Sequence, residues 1–388
     1  MRRLGSLLLV AALAGVAAPA AADAVDDSPR APAVRAERAA PAISVLGNGY
    51  GHGRGLSQHG AQSRALDGQG HRAIVEHYYP GTTWGSARGK VLVQISADTT
   101  RDVVVAPRRG LVASAVRGGE RVAVAKVRPR ATRFRLLPVQ GGTRVQALQG
   151  GWRTLRTLPG AAEFRAQGQP VTLFVTPRTR VSYRGALRAA GGDTVNVVSL
   201  EDYLRGVVPQ EVPALWHPEA VRAQSVAART YAAFERAQPL AAHYQICDTS
   251  QCQVYGGASA EHPASDAAIA ATAGQVLLSG GRPAFTQFSA SNGGWSVAGS
   301  QPYLRAAADP FDTAYRGWTA SIDGAAVSRA YPAIGAFTGA TVTRRDGNGR
   351  WGGRPLAVRL TGTQTSTTVS GETFRSVFGL RSSYFTLR

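Results

Sequence analysis

Two helices joined by a turn are predicted by residues 199–231, SLEDYLRGVVPQEVPALWHPEAVRAQSVAARTY. The first helix opens with Ser199 as its cap and acidic residues in its first turn, and it is expected to end at Val207–Pro209. Pro218 suits the first position of the second helix, because its missing N–H has no helical partner to lose there. Alanines then recur along one side of this helix, so we expect it to be buried against a neighbour.

Glu211 falls between the two predicted helices, beside Val212, Pro213, Leu215 and Trp216. A carboxyl group in an apolar corner resists ionisation. A carboxylic acid that keeps its proton near neutral pH can donate that proton to a glycosidic bond. The simpler interpretation is a structural Glu bonded to backbone N–H groups. Glu201 and Glu219 fit better as charges at helix ends.

The pattern from Glu211 to Tyr231, E-x-P-x-x-W-x-x-E-A-x-x-A-Q-x-V-A-A-R-T-Y, resembles the signature of the SpoIID/LytB family. Further segments that resemble the family are Gly51–Ala61, Gln253–Gly257, Phe288–Trp295 and Pro302–Leu304, and together they span about residues 45–388. The resemblance implies a lytic transglycosylase that cuts peptidoglycan strands and leaves 1,6-anhydromuramyl ends. Glu211 would be its one catalytic group, acting first as acid and then as base.

Further site residues follow from the resemblance and from position in the chain. Substrate-binding candidates are His52 and Gln58 in the glycine-rich stretch, Arg222, Gln224 and Arg229 on the second helix, Ser289 and Ser291 at the end of a strand predicted for Ala284–Ala290, and Tyr303 and Arg305. We expect Gln224 and Arg229 to hold the site in shape. Relatives often have Lys where this chain has Arg222, which is not an interchangeable donor.

The composition is that of a globular protein, with 44% hydrophobic and 18% charged residues, and the formal net charge is +20. The charge has two interpretations: a codon bias towards arginine, or attraction to an anionic polymer of the cell envelope. Nucleic acid is not expected as a partner, because the arginines are scattered and not clustered on one predicted helix, and no nucleic-acid motif is present. No cofactor is expected, because the glycine-rich stretch is neither a phosphate loop nor a dinucleotide fingerprint.

The N-terminus has the pattern of a secretory signal peptide over residues 1–22, with Met1-Arg-Arg followed by an apolar run and small residues. A retained anchor is the alternative, but the run is short against the ~20 residues of a bilayer span. A flexible Ala/Pro-rich linker is predicted for residues 23–41, and the SpoIID/LytB-like domain for residues 42–388. The mature protein is therefore expected to be secreted, in the cell wall or outside the cell, with no membrane span.

Cys247 and Cys252 are the two cysteines of the chain. In an exported protein, such a close pair favours a disulfide that shapes a local loop. A zinc site that also uses His243 is the rival, but the segment offers no complete set of four ligands. We therefore predict the disulfide and no metal.

Residues 91–190 change character, with short alternating or apolar runs separated by Gly and Pro. Such spacing is typical of strands, and we assign strands to runs that include Val91–Ser96, Arg121–Val127 and Val171–Val175. The region is interpreted as a β-rich inserted subdomain without chemistry of its own. The fold class is therefore α+β, a helical catalytic centre packed on mixed strands.

Three functions remain open at this point. The first is the lytic transglycosylase, with peptidoglycan glycan strands as its substrate. The second is a non-catalytic wall-binding module that enhances a cell-wall amidase, as the amidase-enhancer branch of the family implies. The third is a hydrolase, which needs a second carboxylate, and Asp248 is the nearest option.

Overall fold

A computed structural model describes residues 41–388 of the chain. The predicted signal peptide and linker lie outside the described residues, apart from Pro41. No helix among the described residues combines the length and the apolar character needed to cross a membrane.

The helices are short except for one near the centre of the chain. In chain order they are α1 (Gln58–Leu66), α2 (His71–Tyr78), α3 (Val124–Val127), α4 (Leu200–Glu211), α5 (Pro218–Arg236), α6 (Pro263–Ala271), α7 (Gly324–Ala330) and α8 (Gly371–Val377). Short 3₁₀ turns occupy Gly257–Ala260, Pro332–Ile334 and Arg350–Gly352.

Strands make up most of the remaining ordered chain. They are β1 (Ile43–Gly47), β2 (Leu56–Ser57), β3 (Thr83–Ser86), β4 (Lys90–Gln94), β5 (Val103–Val105), β6 (Val112–Ala115), β7 (Arg121–Val122), β8 (Arg133–Val139), β9 (Gly142–Leu148), β10 (Trp152–Pro159), β11 (Ala162–Arg165), β12 (Val171–Phe174), β13 (Arg180–Tyr183), β14 (Ala186–Ala190), β15 (Asp193–Ser199), β16 (Ile246–Cys247), β17 (Gln275–Ser279), β18 (Arg282–Pro283), β19 (Phe288–Ser289), β20 (Trp318–Ile322), β21 (Phe337–Arg345), β22 (Pro355–Gly362), β23 (Ser366–Val369) and β24 (Phe385–Leu387). This mixture confirms the α+β class.

Two large sheets form the region between α2 and α4. One has the order β16-β4-β15-β14-β11-β6-β7 and the other β10-β9-β8-β5-β12-β13, and all pairs are antiparallel except β16 with β4. Alternate residues of both sheets, such as Phe134 and Phe164, are fully buried in one hydrophobic cluster. The same cluster includes Leu204 of α4 and Ala228 of α5, so the sheets support the central helices.

α4 and α5 form the predicted pair, with one difference at the end of α4. The Ser199 hydroxyl caps α4 by accepting the Asp202 N–H at 3.1 Å. The helix does not stop at Val207–Pro209, because Pro209 lies inside it and Glu211 is its last residue. Proline forfeits one intrahelical hydrogen bond, and burying an aliphatic side chain stabilises by about 1.5–3 kcal/mol. Val207 and Val208, both fully buried, offset that loss.

α5 is buried on two opposite sides, as its small residues predict. Ala223 and Ala227 pack into a cluster with α1 and α2, whereas Ala228 and Ala232 belong to the cluster shared with the two large sheets. α5 therefore lies between the two hydrophobic clusters, and it supports Glu211 at the end of α4.

Two strand predictions were wrong in part. The run Arg121–Val127 forms a strand only over Arg121–Val122 and then turns into the one-turn helix α3, whose Val124 is fully buried. The apolar run after Ala284 pairs only at Phe288–Ser289. Each run has apolar residues that are buried, such as Val124 and Ala284, and an apolar run does not by itself distinguish a strand from a helix or an irregular segment.

The two ends of the described chain meet beside α1. β1 lies between β20 and β24, and the Ser382 hydroxyl donates to the Asn48 carbonyl at 2.5 Å. This arrangement brings the glycine-rich stretch, residues 47–58, against the C-terminal segment.

Candidate active site

A cleft of ≈ 700 Å³ opens where α4 ends. Residues from five separate parts of the chain line it: Tyr50, Gly51, His52 and Gln58; Gln210, Glu211 and Tyr231; Ser250, Gln251, Cys252 and Val254; Gln287, Phe288, Ser289 and Ala290; and Arg375. Among these described residues, Glu211 is the only carboxylate.

Glu211 is half-buried in the cleft wall and held by two donors. The Gln58 side-chain amide donates to its Oε2 at 3.4 Å, and the Val254 N–H donates to its Oε1 at 3.3 Å. Burial raises the pKa of Glu211, and the two hydrogen bonds act in the opposite direction. The carboxyl group is therefore shifted towards its protonated form.

The glycine-rich stretch forms a second part of the cleft wall and is fixed by parallel pairing. β2 pairs with β19, so Leu56 lies beside Phe288 and Ser57 beside Ser289. Gly55 has a positive φ of 62°, and a Cβ there would collide with the Gln287 carbonyl. Glycine at this position thus lets the two segments approach closely enough to close the cleft.

His52 enters the cleft from the same stretch. Its Nδ1 accepts the Arg54 N–H at 2.9 Å. Burial, reinforced by the charge of Arg54, lowers the pKa of His52 to about 4. The imidazole is therefore neutral at neutral pH, with its second nitrogen protonated and able to donate to a ligand.

Cys247 and Cys252 form a disulfide in the structure, with their Cα atoms 5.6 Å apart. The loop that they close supplies Ser250, Gln251 and Cys252 to one side of the cleft. His243, the third ligand of the rival zinc site, bonds instead to Asp193 at 2.5 Å.

Three predicted residues on α5 lie outside the cleft. Arg222 forms an ion pair with Glu219 one turn earlier on the helix. Gln224 is 1% exposed, and Arg229 is fully buried with its guanidinium forked onto Glu201 at 2.8 and 2.9 Å. Gln224 and Arg229 are too buried to reach a ligand in the cleft, and Arg222, with a side chain 36% exposed, is paired with Glu219 outside it, so the substrate-binding assignment of all three is corrected.

Three further candidates also miss the cleft. Ser291 is fully buried and donates to Asp312 at 2.8 Å, and Tyr303 is 4% exposed with its hydroxyl accepting the Phe285 N–H at 2.6 Å. Arg305 is exposed and lines a separate cavity of ≈ 260 Å³. Their substrate-binding assignment does not fit these positions, whereas His52, Gln58 and Ser289 do line the cleft with Glu211.

Sequence reasoning missed Tyr50, Gln287 and Arg375 as cleft residues. Tyr50 lies in the glycine-rich stretch, two positions before His52, and this proximity could have identified it as a cleft residue. Arg375 comes from α8, and its guanidinium donates to Glu372 at 2.6 Å. Nothing local marks Arg375, because only the meeting of the chain ends brings α8 to the cleft.

A row of aromatic rings extends from the cleft along its rim. Tyr50 lies edge-to-face with Tyr315 at 5.2 Å, Tyr315 with His59 at 5.2 Å, and His59 with Trp216 at 4.8 Å between ring centroids. Tyr50 and Tyr315 are 46% and 37% exposed. Partly exposed rings next to a cleft are typical of ligand-binding surfaces.

Asp248, the proposed second carboxylate of a hydrolase, is occupied elsewhere. Its carboxylate accepts the Ser96 hydroxyl at 2.6 Å and the Ser96 N–H at 3.1 Å, and it does not line the cleft.

Residues 189–278 match the model of the family described as SpoIID, stage II sporulation protein. This range contains α4, α5, Glu211 and the disulfide loop. The glycine-rich stretch and Ser289 lie outside it.

Three curated relatives resemble parts of the chain. The amidase enhancer of Bacillus subtilis (strain 168) is 38% identical over 125 residues, 31% of this chain and 17% of that protein. The stage II sporulation protein D of the same organism is 27% identical over 223 residues, 52% of this chain and 57% of that protein. The protein of the same name from Bacillus amyloliquefaciens is 28% identical over 168 residues, 38% of this chain and 47% of that protein. The chain thus spans less than two thirds of the length of each of these relatives.

Proposed function

Because the chain belongs to the SpoIID/LytB family, we propose that it is an exported lytic transglycosylase that cuts the glycan strands of peptidoglycan. The proposed reaction depends on the geometry of one side chain, that of Glu211.

The observation that carries the proposal is a single carboxyl group in a cleft large enough for a ligand. Glycoside hydrolases usually place two carboxyl groups across the scissile bond. Here the described cleft residues provide only Glu211, and Asp248 is committed to Ser96. A transglycosylase needs one carboxyl group, because the nucleophile is a hydroxyl of the substrate itself.

The proposed reaction uses Glu211 twice. The protonated carboxyl donates its proton to the bridging oxygen as the bond from C1 of muramic acid to that oxygen breaks. The resulting carboxylate then takes the proton of the C6 hydroxyl of the same sugar, as that oxygen bonds to C1. The anhydro ring closes, Glu211 is protonated again, and no water is consumed. The raised pKa of Glu211 favours the protonated starting state.

Neighbouring groups in the cleft would position the sugar. The Gln58 amide and the Val254 N–H hold the Glu211 carboxyl group in one orientation. Neutral His52 offers one N–H, and the Ser289 hydroxyl accepts the Gly53 N–H at 3.2 Å while its own proton remains available. Positioning of this kind accounts for much of the rate enhancement of enzymes.

A second candidate function is a wall-binding module that enhances an amidase. It is favoured by the similarity to a protein named amidase enhancer, 38% identical over 125 residues. A pure binding module does not need a single carboxyl group held by two donors in a cleft, which is why we prefer the enzyme.

The test is digestion of purified glycan strands, with and without stem peptides, by the full chain and by Glu211→Gln. Mass spectrometry of the products distinguishes the candidates. We expect new anhydro ends with the native protein and none with the variant. New reducing ends would mean a hydrolase, and unchanged strands that nonetheless bind the protein would mean the module.

A further inference from the structure

The positive charge of the chain is concentrated away from the cleft. Residues 91–198 hold eighteen Arg and Lys against five Asp and Glu, a formal balance of +13 out of +20 for the whole sequence. Codon bias alone would spread arginine evenly. The concentration of positive charge in residues 91–198 therefore suggests that the outer surface of this β-rich region contacts an anionic ligand.

The arginines of the six-stranded sheet point away from the core. On β8, Phe134 and Leu136 are fully buried in the cluster between the sheets, so Arg133 and Arg135 alternate to the outer face. Register with β8 puts Arg144 of β9 on the same face, opposite Leu137.

Two aromatic side chains on this outer face are covered by guanidinium groups. Arg135 lies over the Trp152 ring at 4.2 Å from its centroid. Arg133 and Arg180 lie over Phe174 at 4.2 and 4.8 Å, and Phe174 is only 8% exposed. Stacking is worth about 0.5–1 kcal/mol at exposed sites. Arg133 also donates to the Pro177 carbonyl at 3.5 Å and Arg135 to the Gln146 side-chain oxygen at 2.5 Å, so both guanidinium groups are held in place. We call the set Arg133, Arg135, Arg144, Arg180, Trp152 and Phe174 the arginine face.

Most of the charge on the arginine face is uncompensated. Arg135 has Asp102 at 3.5 Å. Arg133, Arg144 and Arg180 have no carboxylate within ion-pairing distance among residues 41–388. Guanidinium groups that lack a carboxylate partner are suited to phosphate oxygens, which they can bind in a bidentate manner.

We propose that the arginine face binds a flexible phosphodiester polymer that has no bases, of the poly(glycerol phosphate) kind. Single-stranded nucleic acids gain much of their affinity by stacking bases on open aromatic faces. Here guanidinium groups already cover the faces of Phe174 and Trp152. The arginine face therefore offers hydrogen-bond donors for phosphate oxygens but no open aromatic surface on which a base could stack. The inference does not depend on the reaction proposed for the cleft.

The test is a titration of the full chain with fluorescent poly(glycerol phosphate) between about 50 and 200 mM salt, where binding by counterion release weakens steeply. The variant is the triple change Arg133→Gln, Arg144→Gln and Arg180→Gln. Each lost phosphate contact lowers the slope of log K against log salt by roughly 0.7–0.9. We therefore expect the slope to fall by about 2–3 and the affinity at low salt to fall by at least about tenfold.

A matched control removes the same charge elsewhere. Arg329→Gln, Arg344→Gln and Arg359→Gln neutralise three exposed arginines outside residues 91–198. Equal weakening by the control would overturn the site, as would unchanged binding by the first triple variant with native circular dichroism. A single-stranded DNA of equal charge that binds the native chain as tightly, and loses affinity in the same variant, would overturn the assigned partner.

Discussion

Replacing Glu211 by Gln is the most direct test of the proposed reaction. The side chain keeps its shape and can still accept the Val254 N–H, which lies 3.3 Å from the carboxyl oxygen. It cannot donate a proton and then take one back. A positioned acid or base contributes about 10²–10⁴-fold to the rate, which corresponds to about 3–5 kcal/mol in the barrier. Since one group performs both steps, we expect the loss to lie at the upper end.

Stability gives the same variant a second readout with a definite sign. Burial raises the pKa of Glu211 above its unfolded value, so the ionised carboxyl group destabilises the folded state at neutral pH. Glutamine removes this cost. We expect the melting temperature of the variant at pH 7 to equal or exceed that of the native protein. Any difference should vanish below the pKa of the unfolded carboxyl group, about 4.3.

The assay is the rate of release of anhydro-ended fragments, with melting curves and glycan binding measured on the same samples. Asp248→Asn is the matched control, because it neutralises a carboxylate that bonds to Ser96 outside the cleft. The control should retain activity. If Glu211→Gln kept more than about a tenth of the native rate, a smaller loss than an acid accounts for, the reasoning would be refuted.

Three other variants test the surroundings of Glu211. Gln58→Met removes a donor that lowers the pKa of Glu211, so the fall of kcat/KM at alkaline pH should move to higher pH; a shift to lower pH would contradict this. Burial lowers the pKa of His52 to about 4 in the folded protein. As the pH falls from about 6.5 towards 4, only the unfolded state gains a proton at this ring, so the free energy of unfolding falls by up to about 3 kcal/mol. His52→Gln should flatten the dependence of the melting temperature on pH over that range, and a curve parallel to that of the native protein would refute the low pKa of His52. Arg229→Ala leaves the Ile269 and Gln275 carbonyls without their buried donor and should destabilise by about 1–3 kcal/mol for each in urea denaturation. A total loss under about 1 kcal/mol would mean that water replaces the guanidinium.

The local elements were predictable from the sequence because their causes are local. Ser199 caps α4 and Pro218 begins α5, as the sequence indicated. The end of α4 was not predictable from the sequence, because the helix tolerates Pro209 through the burial of Val207 and Val208 against distant strands. Propensity is a local quantity, and tertiary burial overrides it.

The candidate site was predictable only as far as the motifs extend. The pairing of Gln58 with Glu211 joins residues 153 positions apart, and the family resemblance alone suggested it. Arg229 belongs to the same motif, yet its burial depends on Glu201 as its partner, and single-sequence reasoning could not decide between scaffold and ligand contact. The catalytic role of Glu211 stays a prediction.

The meeting of the chain ends has a consequence for when the protein can act. β24 pairs with β1, and Ser382 bonds to Asn48, 334 positions earlier. A polypeptide without residues 382–387 lacks these tethers, and its glycine-rich stretch is then held through β19, β20 and the bond from Gln58 to Glu211. We therefore expect the cleft wall beside Glu211 to be fully fixed only after residues 382–387 pair, so the proposed activity would depend on both ends of the described chain.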